Sequence, residues 1–469
     1  MSDTNSSTSS AALSFLGAAG TVTGSKFLLT APSSSILVDC GLFQGPKELR
    51  LHNWDRLAVD AGDIQSVVLT HAHLDHSGYL PALCCNGFRG PVRCTAQTHA
   101  LCRIVLPDSG HLQEEEADYA NRKGYSKHAP ALPLYTEDEA WRSLEHFSPV
   151  AFDSPLAIGD CRATFLHAGH ILGASSVLLE VGAAGRRILF SGDLGRPTHP
   201  ILRAPAPPPR ADVIVVESTY GDRRHDDAGA LELFARTISQ TAARGGTIVI
   251  PSFAVDRTEI VLYHLRRLQM EARIPQLPIF VDSPMALAAL KLYQDAIRQG
   301  SSAVRRDIAG KPEILEPAEL TEIKTVDQSI ALNRQPGPMI IIAASGMATG
   351  GRVLHHLAQR LPDRRNTVIL VGYQAAQTRG RTLLEGAPSV KMLGRYVPVR
   401  AEVVNLPAFS VHADQAEILS WLSRAPAAPE VVYVVHGEPA AAEQLRIVIG
   451  RELGWHAVVP HYLERVRLL

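Results

Sequence analysis

A histidine-rich segment in the first third of the chain offers side chains suited to binding metal ions. It reads LTHAHLDHSG and contains His71, His73, Asp75 and His76 directly after an apolar run typical of a strand. Because alternate residues of an extended segment face the same side, His71, His73 and Asp75 are predicted to project together, and a turn brings His76 beside Asp75. The segment thus offers two imidazoles to one cation, and a carboxylate with an imidazole to a second.

Four donors cannot close two tetrahedral metal sites, so further ligands are required. HAGHILGAS supplies His170, LFSGDLG supplies Asp193 and SILVDCGLF supplies Asp39, each near the end of a predicted strand. A carboxylate on a strand-end turn is well placed to bridge two ions. Imidazole and carboxylate donors suit Zn²⁺, with Mn²⁺ or Fe²⁺ as alternatives.

The elements that must position these residues change character along the chain. Residues 1–10 are predicted to be a disordered tail. Short strands separated by glycine-rich turns fill residues 11–221, whereas helical patterns alternate with buried strands over residues 222–405, which is typical of a parallel α/β sheet. Residues 406–469 again show the pattern of short strands that is seen in residues 11–221. This organisation predicts a discontinuous first domain with an α/β domain inserted into it.

Composition excludes several classes of protein. Hydrophobic residues make up 46% of the chain, charged residues make up 20% and the net charge is −1, which argues against a disordered or polybasic protein. The six cysteines form no C-x-x-C pair, which predicts reduced thiols. The N-terminus has no signal-peptide pattern, and no apolar stretch is long enough to span a membrane. A cytoplasmic location is therefore expected.

The order of Asp39, the H-x-H-x-D-H segment, His170 and Asp193 resembles the metallo-β-lactamase fold, an αββα sandwich with a two-metal site. The resemblance implies two ligand groups, namely His71, His73, His170 and Asp193 for one metal, and Asp75, His76 and the bridging Asp193 for the other. It also implies that Asp39 orients a metal-bound hydroxide.

Three later motifs resemble the β-CASP nuclease subfamily within that superfamily. They are VVESTYGDR with Glu217, PAFSVHADQ with His412 and VVHGE with His436. PSFAVDRTE, VDSPMA and AASGMATGG also resemble its inserted domain, so the resemblance covers residues 11–469. It implies that His436 completes the second metal site. The RNA-processing members of the subfamily share a histidine at this position, whereas the DNA-repair members typically carry an apolar residue there. Within the subfamily, the chain resembles the bacterial relatives of the cleavage-and-polyadenylation endonuclease.

The expected activity is that of a two-zinc ribonuclease in RNA processing or decay, acting as an endonuclease, a 5′-exonuclease or both. A metal-bound hydroxide is expected to attack phosphorus and to leave 5′-phosphate and 3′-hydroxyl products. His412 is the candidate general acid, Glu217 is expected to orient it, and Asp39 and Asp75 complete the predicted catalytic set. Single-stranded RNA is the expected partner, and a homodimer is left open.

Phosphate contacts are predicted at turns that follow buried strands. A turn that opens a helix presents backbone N–H groups to an anion. The candidate residues are Ser252, Arg257, Ser345, Gly346 and Ser410. The alternative is that these are ordinary connections between strands and helices.

Three other functions remain open: a DNA nuclease, a small-molecule thioesterase of the same fold, and a metal-free scaffold. The thioesterase has no use for the insert or for the later Glu and His motifs, and the scaffold predicts missing ligands. Because net charge is near zero, any RNA-binding surface is expected to be local.

Overall fold

The computed structural model describes residues 11–124, 126–182, 185–226, 228–375 and 377–468. The tail predicted for residues 1–10 lies outside these ranges. The chain divides into two compact units. The first unit extends to Pro197, takes in Ala204–Arg224 and resumes at His412, whereas the second consists of Thr198–Arg203 and His225–Val411.

Two seven-stranded sheets form the centre of the first unit. The first sheet has the order β22-β1-β2-β3-β4-β5-β6 and the second the order β21-β20-β11-β10-β9-β8-β7. The strands are β1 (Ala12–Phe15), β2 (Phe27–Thr30), β3 (Ser35–Val38), β4 (Ser66–Val68), β5 (Val92–Thr95), β6 (Phe147–Val150), β7 (Leu156–Ile158), β8 (Cys161–His167), β9 (Ser175–Val181), β10 (Arg186–Phe190), β11 (Val213–Glu217), β20 (Val431–Val435), β21 (Ala457–Val458) and β22 (Arg465–Arg467).

Helices cover these sheets. They are α1 (Lys47–Leu51), α2 (Leu74–Ser77), α3 (Leu80–Cys85), α4 (Ala96–Lys123), α5 (Glu137–Ser143), α12 (Gln415–Leu422) and α13 (Pro439–Leu453). Alternation along the strands directs one set of side chains, including Phe15 and Phe190, into a core shared by both sheets. The opposite face of the second sheet packs against Trp421 of α12 and Leu445 of α13. The predicted αββα layering is therefore confirmed.

The second unit contains a six-stranded parallel sheet with the order β14-β13-β15-β12-β16-β19, together with a separate hairpin of β17 and β18. Its strands are β12 (Thr247–Pro251), β13 (Ile279–Asp282), β14 (Leu320–Glu322), β15 (Met339–Ala343), β16 (Thr367–Leu370), β17 (Ser389–Met392), β18 (Arg395–Pro398) and β19 (Glu402–Asn405). Its helices are α6 (Ala230–Ala243), α7 (Arg257–Met270), α8 (Pro284–Arg298), α9 (Val326–Arg334), α10 (Val353–Arg360) and α11 (Arg379–Leu384). The parallel sheet agrees with the alternation of buried strands and helices in the sequence.

Within the described ranges, every helix is too short or too polar to cross a membrane.

Candidate metal centre

Strand ends in the first unit bring the predicted ligands together. His71 follows β4, and His170 lies in the connection between β8 and β9. Because β10, β11 and β20 run parallel to one another, the residues at or after their carboxyl ends, Asp193, Glu217 and His436, lie at the same edge of the sheet.

The H-x-H-x-D-H segment differs from the predicted conformation. The extended backbone ends at His73, which is the N-cap of α2, so Asp75 and His76 lie on a helical turn. The prediction that Asp75 continues an extended strand is therefore wrong. Because α2 changes the direction of the backbone, the side chains of Asp75 and His76 project differently from those of His71 and His73. The segment therefore offers two separate pairs of donors.

The first group of donors comprises His71, His73, His170 and Asp193, with one ligand atom of each within 4.8 Å of the others. His170 Nε2 lies 3.1 Å from His73 Nδ1 and 3.5 Å from Asp193 Oδ2. His71 Nε2 lies 3.4 Å from the same Asp193 oxygen. Apart from half-buried His73, the side chains are buried.

The second group comprises Asp75, His76 and His436. His76 Nε2 lies 3.1 Å from His436 Nε2 and 3.2 Å from Asp193 Oδ1. His436 Nε2 lies 3.3 Å from Asp75 Oδ2. Asp193 therefore directs Oδ2 toward the first group and Oδ1 toward the second, which is the arrangement of a bridging carboxylate.

The donor set fits two divalent ions. Tetrahedral Zn²⁺ with bonds of about 2.0–2.1 Å holds its ligand atoms about 3.3 Å apart, and the six separations given above are 3.1–3.5 Å. Both Asp193 oxygens and His71 Nε2 are buried without a hydrogen-bond partner among the described residues. Buried polar atoms left in this way are costly unless a ligand satisfies them.

Electrostatics prepare the first group for a cation. Burial lowers the pKa of His73 to about 3, with the charge of His71 adding to the effect. Burial and His412 likewise hold the pKa of His170 well below its ordinary value. Burial disfavours ionisation of Asp193, but His436, His76 and His71 outweigh it and hold its pKa well below the ordinary value. Neutral imidazoles and an ionised carboxylate are the forms that bind metal.

Asp39 lies behind His76. Its Oδ2 accepts a hydrogen bond of 2.7 Å from His76 Nδ1, and Thr70 donates to both carboxylate oxygens, at 2.7 Å from its backbone N and 2.9 Å from its hydroxyl. These contacts leave His76 Nε2 directed at Asp193 and His436. The structure thus shows Asp39 orienting a candidate ligand, and its predicted role in orienting hydroxide stays a prediction.

Two residues of the site have strained backbones. Asp39 has φ of 59° and His436 has φ of 49°. The left-handed region costs a non-glycine residue about 1–2 kcal/mol, and such strain concentrates at functional sites. In Asp39 and His436, this backbone conformation directs the side chain toward the cluster of metal-binding donors.

His412 and Glu217 lie beside the first group. His412 Nδ1 is 3.4 Å from Glu217 Oε1, and the same oxygen accepts a 2.6 Å hydrogen bond from Leu194 N. Glu217 and His436 also form a third potential metal-binding cluster with Asp193. The backbone N–H groups of Leu194 and Thr219 donate to the Glu217 oxygens, and the predicted role of Glu217 in orienting His412 stays a prediction.

The five predicted phosphate contacts all lie in the second unit. Ser252, directly after β12, and Arg257, the first residue of α7, are buried, and so is Ser410. Ser345 and Gly346 follow β15, and Ser345 is half-buried. Their role stays a prediction.

Sequence reasoning missed residues that support the ligands. Thr70 bonds to Asp39 and lies 3.0 Å from His71 Nδ1, while Thr219 Oγ1 lies 3.1 Å from His436 Nδ1. The one signal for these two threonines in the sequence was that each lies close to a predicted site residue. Arg196 and Glu417, joined by an ion pair of 3.1 Å, had no local signal.

Three protein families match the chain. The metallo-beta-lactamase superfamily matches residues 20–231, the Beta-Casp domain matches residues 258–383, and the Zn-dependent metallo-hydrolase RNA specificity domain matches residues 396–460.

Similar proteins include Ribonuclease TTHA0252 of Thermus thermophilus, with 38% identity over 93% of this chain and 94% of that protein. The RNase J-like protein of Methanocaldococcus jannaschii has 30% identity over 91% of this chain and 92% of that protein. Transcription termination factor FttA of Methanosarcina mazei has 31% identity over 97% of this chain and 71% of that protein. A crystal structure of a protein of unknown function from Enterococcus faecalis shares the fold with a TM-score of 0.55, at 16% identity over 98% of this chain and 100% of that one.

Proposed function

Because the chain belongs to the β-CASP branch of the metallo-β-lactamase superfamily and is a metal-dependent hydrolase of the nuclease type, we propose that it is a two-zinc ribonuclease acting on single-stranded RNA. The observation that carries the proposal is the division of the Asp193 oxygens between two groups of buried and half-buried donors. The similarity to a ribonuclease and to an RNase J-like protein supports RNA rather than DNA or a small thioester as the substrate.

His71, His73, His170 and Asp193 would hold one ion, and Asp75, His76, His436 and Asp193 the other. When bound, the ions supply a water nucleophile at neutral pH and stabilise charge on the phosphoryl oxygens. The protein's own residues manage the leaving group. Glu217 accepts from His412 Nδ1, which orients the ring, and His412 acts as the general acid that donates the Nε2 proton to the departing 3′-oxygen. The products are a 5′-phosphate and a 3′-hydroxyl.

The free state of all six cysteines supports the expected cytoplasmic location, in which thiols stay reduced. Whether cleavage begins inside the RNA or at its 5′ end is decided by where the labelled products appear.

The test is digestion of single-stranded RNA labelled internally and at its 5′ end, beside DNA of the same sequence. Wild type should cut RNA and spare DNA when Zn²⁺ or Mn²⁺ is supplied. His412→Ala should lower kcat about 10²–10⁴-fold, the usual contribution of a general acid, and should retain both ions by elemental analysis.

The matched control is His461→Ala, which removes an exposed imidazole of the same unit and should leave kcat unchanged. Intact RNA after incubation with wild type and both metals, or equal cutting of DNA, would contradict the proposed substrate.

A further inference from the structure

The hairpin of the second unit presents an aromatic ring and a cation to solvent. Val390, Met392 and Val397 are buried, so the alternate residues face outward. Lys391 stands opposite Tyr396 in the strand register. Lys391 is exposed, and Tyr396 exposes 71% of its surface, close to the highest value among the large apolar and aromatic side chains of the described residues.

The tip of this hairpin is strained. Leu393 has φ of 50° and Gly394 has φ of 77°, and these two residues connect β17 to β18. Two-residue connections with two positive φ angles strongly favour Asn-Gly because Asn tolerates that conformation. The chain instead has an exposed leucine there, so hairpin folding does not explain the residue. Strain of this kind concentrates at sites that contact ligands.

An open cavity of about 510 Å³ lies beside the hairpin. Thr349, Gln377, Thr378 and Arg379 line it together with the hairpin, and none of the described lining residues is acidic. Arg379 holds the walls together by donating to the backbone oxygens of Lys391 and Thr349, each at 2.8 Å. Cavities of about 300–1,000 Å³ hold small ligands. We call this feature, with Leu393, Lys391 and Tyr396, the hairpin groove.

We propose that the hairpin groove is an RNA-binding subsite that holds a nucleotide of the single-stranded RNA substrate. A base stacks on Tyr396 beside the apolar tip at Leu393, and Lys391 contacts a phosphate. The inference rests on the proposed ribonuclease function. Charge complementarity favours RNA over an apolar peptide, because the walls combine cations and hydroxyls without a described carboxylate.

The experiment measures binding of a fluorescein-labelled oligoadenylate of about 12 nucleotides, within the usual range of single-strand sites, to the full chain carrying His412→Ala. Tyr396→Ala should weaken binding about 10- to 100-fold, the usual effect of losing one stacked base. Lys391→Ala should lower the slope of log K against log salt by about 0.7, as expected when one phosphate contact is lost.

Leu393→Asn separates function from structure. Because asparagine tolerates the left-handed region, this variant should unfold at a higher temperature and yet bind RNA more weakly. A purely structural leucine would give higher stability with unchanged affinity, and that result would overturn its role in the groove.

Matched controls exist in the first unit. Tyr119 and Lys123 form an exposed pair on α4, with Lys123 Nζ 5.9 Å from the ring, and Leu463 is exposed with φ of 66°. Tyr119→Ala, Lys123→Ala and Leu463→Asn should leave RNA affinity unchanged.

Wild-type affinity in Tyr396→Ala and Lys391→Ala would overturn the proposal and leave the groove to a protein partner. Failure of the proposed function is distinguishable, because it appears as wild type that does not cut RNA, independently of these binding measurements.

Discussion

At the scale of single residues, Asp39 determines which nitrogen of the His76 ring faces the other donors. Its hydrogen bond with Nδ1 orients the ring so that Nε2 is directed at Asp193 and His436. A carboxylate behind a histidine ligand also raises the basicity of that ligand. The affinity for the ion proposed for the second donor group should therefore depend on Asp39, although Asp39 is not one of its proposed ligands.

Asp39→Asn should weaken binding of the second ion about 10- to 100-fold, because an amide cannot supply the carboxylate's charge to His76. The first ion should remain bound, since its donors contact Asp193 and one another. Titration of the metal-free protein with Zn²⁺ against a competing chelator measures both affinities.

Asp282→Asn is the matched control. Asp282 is a buried aspartate of the second unit whose Oδ2 lies 2.7 Å from His356 Nε2. Its replacement should destabilise the protein without changing either zinc affinity. Wild-type affinity for the second ion in Asp39→Asn would contradict the role given to Asp39.

The donors of the site could be predicted because imidazoles and carboxylates at this spacing have few other uses. The contacts of Asp39 could not, because a carboxylate at a strand end gives no sign of which neighbour it will meet. Thr70 illustrates the reason, since its hydrogen bonds to Asp39 depend on the side-by-side packing of β3 and β4.

At the scale of elements, one ion pair ties the turn after β10 to α12. Arg196 donates to Glu417, whose other oxygen lies 3.0 Å from the backbone N of Asp414 in the capping box of α12. In the same place Gly195 pairs with His412, and Ala413 N donates to Leu194 O at 2.7 Å. The pair therefore holds the segment of His412 against the segment of Asp193.

Glu417→Gln removes the charge of this pair and keeps a side chain that can complete the capping box. We expect the free energy of unfolding to fall by about 2 kcal/mol, because the largely buried guanidinium of Arg196 loses the charge of Glu417. We also expect kcat to fall about tenfold while KM and metal content stay at their wild-type values, since only the position of His412 changes. Urea unfolding and steady-state kinetics on RNA measure these effects.

The comparison variant is Glu443→Gln, which breaks the exposed pair of Glu443 and Arg446 on α13. Exposed ion pairs of this kind contribute less than about 0.5 kcal/mol to the free energy of unfolding. Stability and kcat of this variant should therefore equal those of wild type. Equal kcat in Glu417→Gln and wild type would show that the ion pair does not position His412.

Regular elements were easier to predict than their ends. Alternating buried strands and helices indicated the parallel sheet of the second unit, because both periods extend over many residues. The start of α2 at Leu74 was not predicted. The Ncap His73 makes no side-chain cap hydrogen bond, so the usual signal of a helix start is missing.

At the scale of the whole molecule, the two units have separate cores. Phe190 belongs to the core between the sheets of the first unit, and Leu357 belongs to the core of the second. All the candidate metal ligands lie in the first unit. Ions that bind the folded site should therefore stabilise one unit and not the other.

Removal of metal with a chelator should lower the unfolding temperature of the first unit and leave that of the second unchanged. An ion present at 1,000 times its Kd stabilises the folded state by about 4 kcal/mol. Differential scanning calorimetry with and without chelator measures the shift. In the His71→Ala variant the shift should shrink, and an equal shift in both units would contradict the assignment.

The short segment Thr198–Arg203 shows why unit boundaries are hard to predict. It belongs to the second unit because Leu202 pairs with Val304 and Arg203 N donates to Ala303 O at 2.9 Å. These partners are about a hundred residues away, and nothing in the local pattern points to them. The predicted boundaries near residues 222 and 405 stay predictions.

The late position of His436 has a consequence for the chain while it is being translated. His71, His73, His170 and Asp193 leave the ribosome early, whereas β20 and His436 emerge only after the entire second unit. A nascent chain that ends before β20 therefore contains every donor of the first group but lacks a donor of the second, together with an interior strand of the second sheet. For the proposed ribonuclease, we expect an unfinished copy that ends before β20 to leave RNA uncut, the messenger that encodes it included.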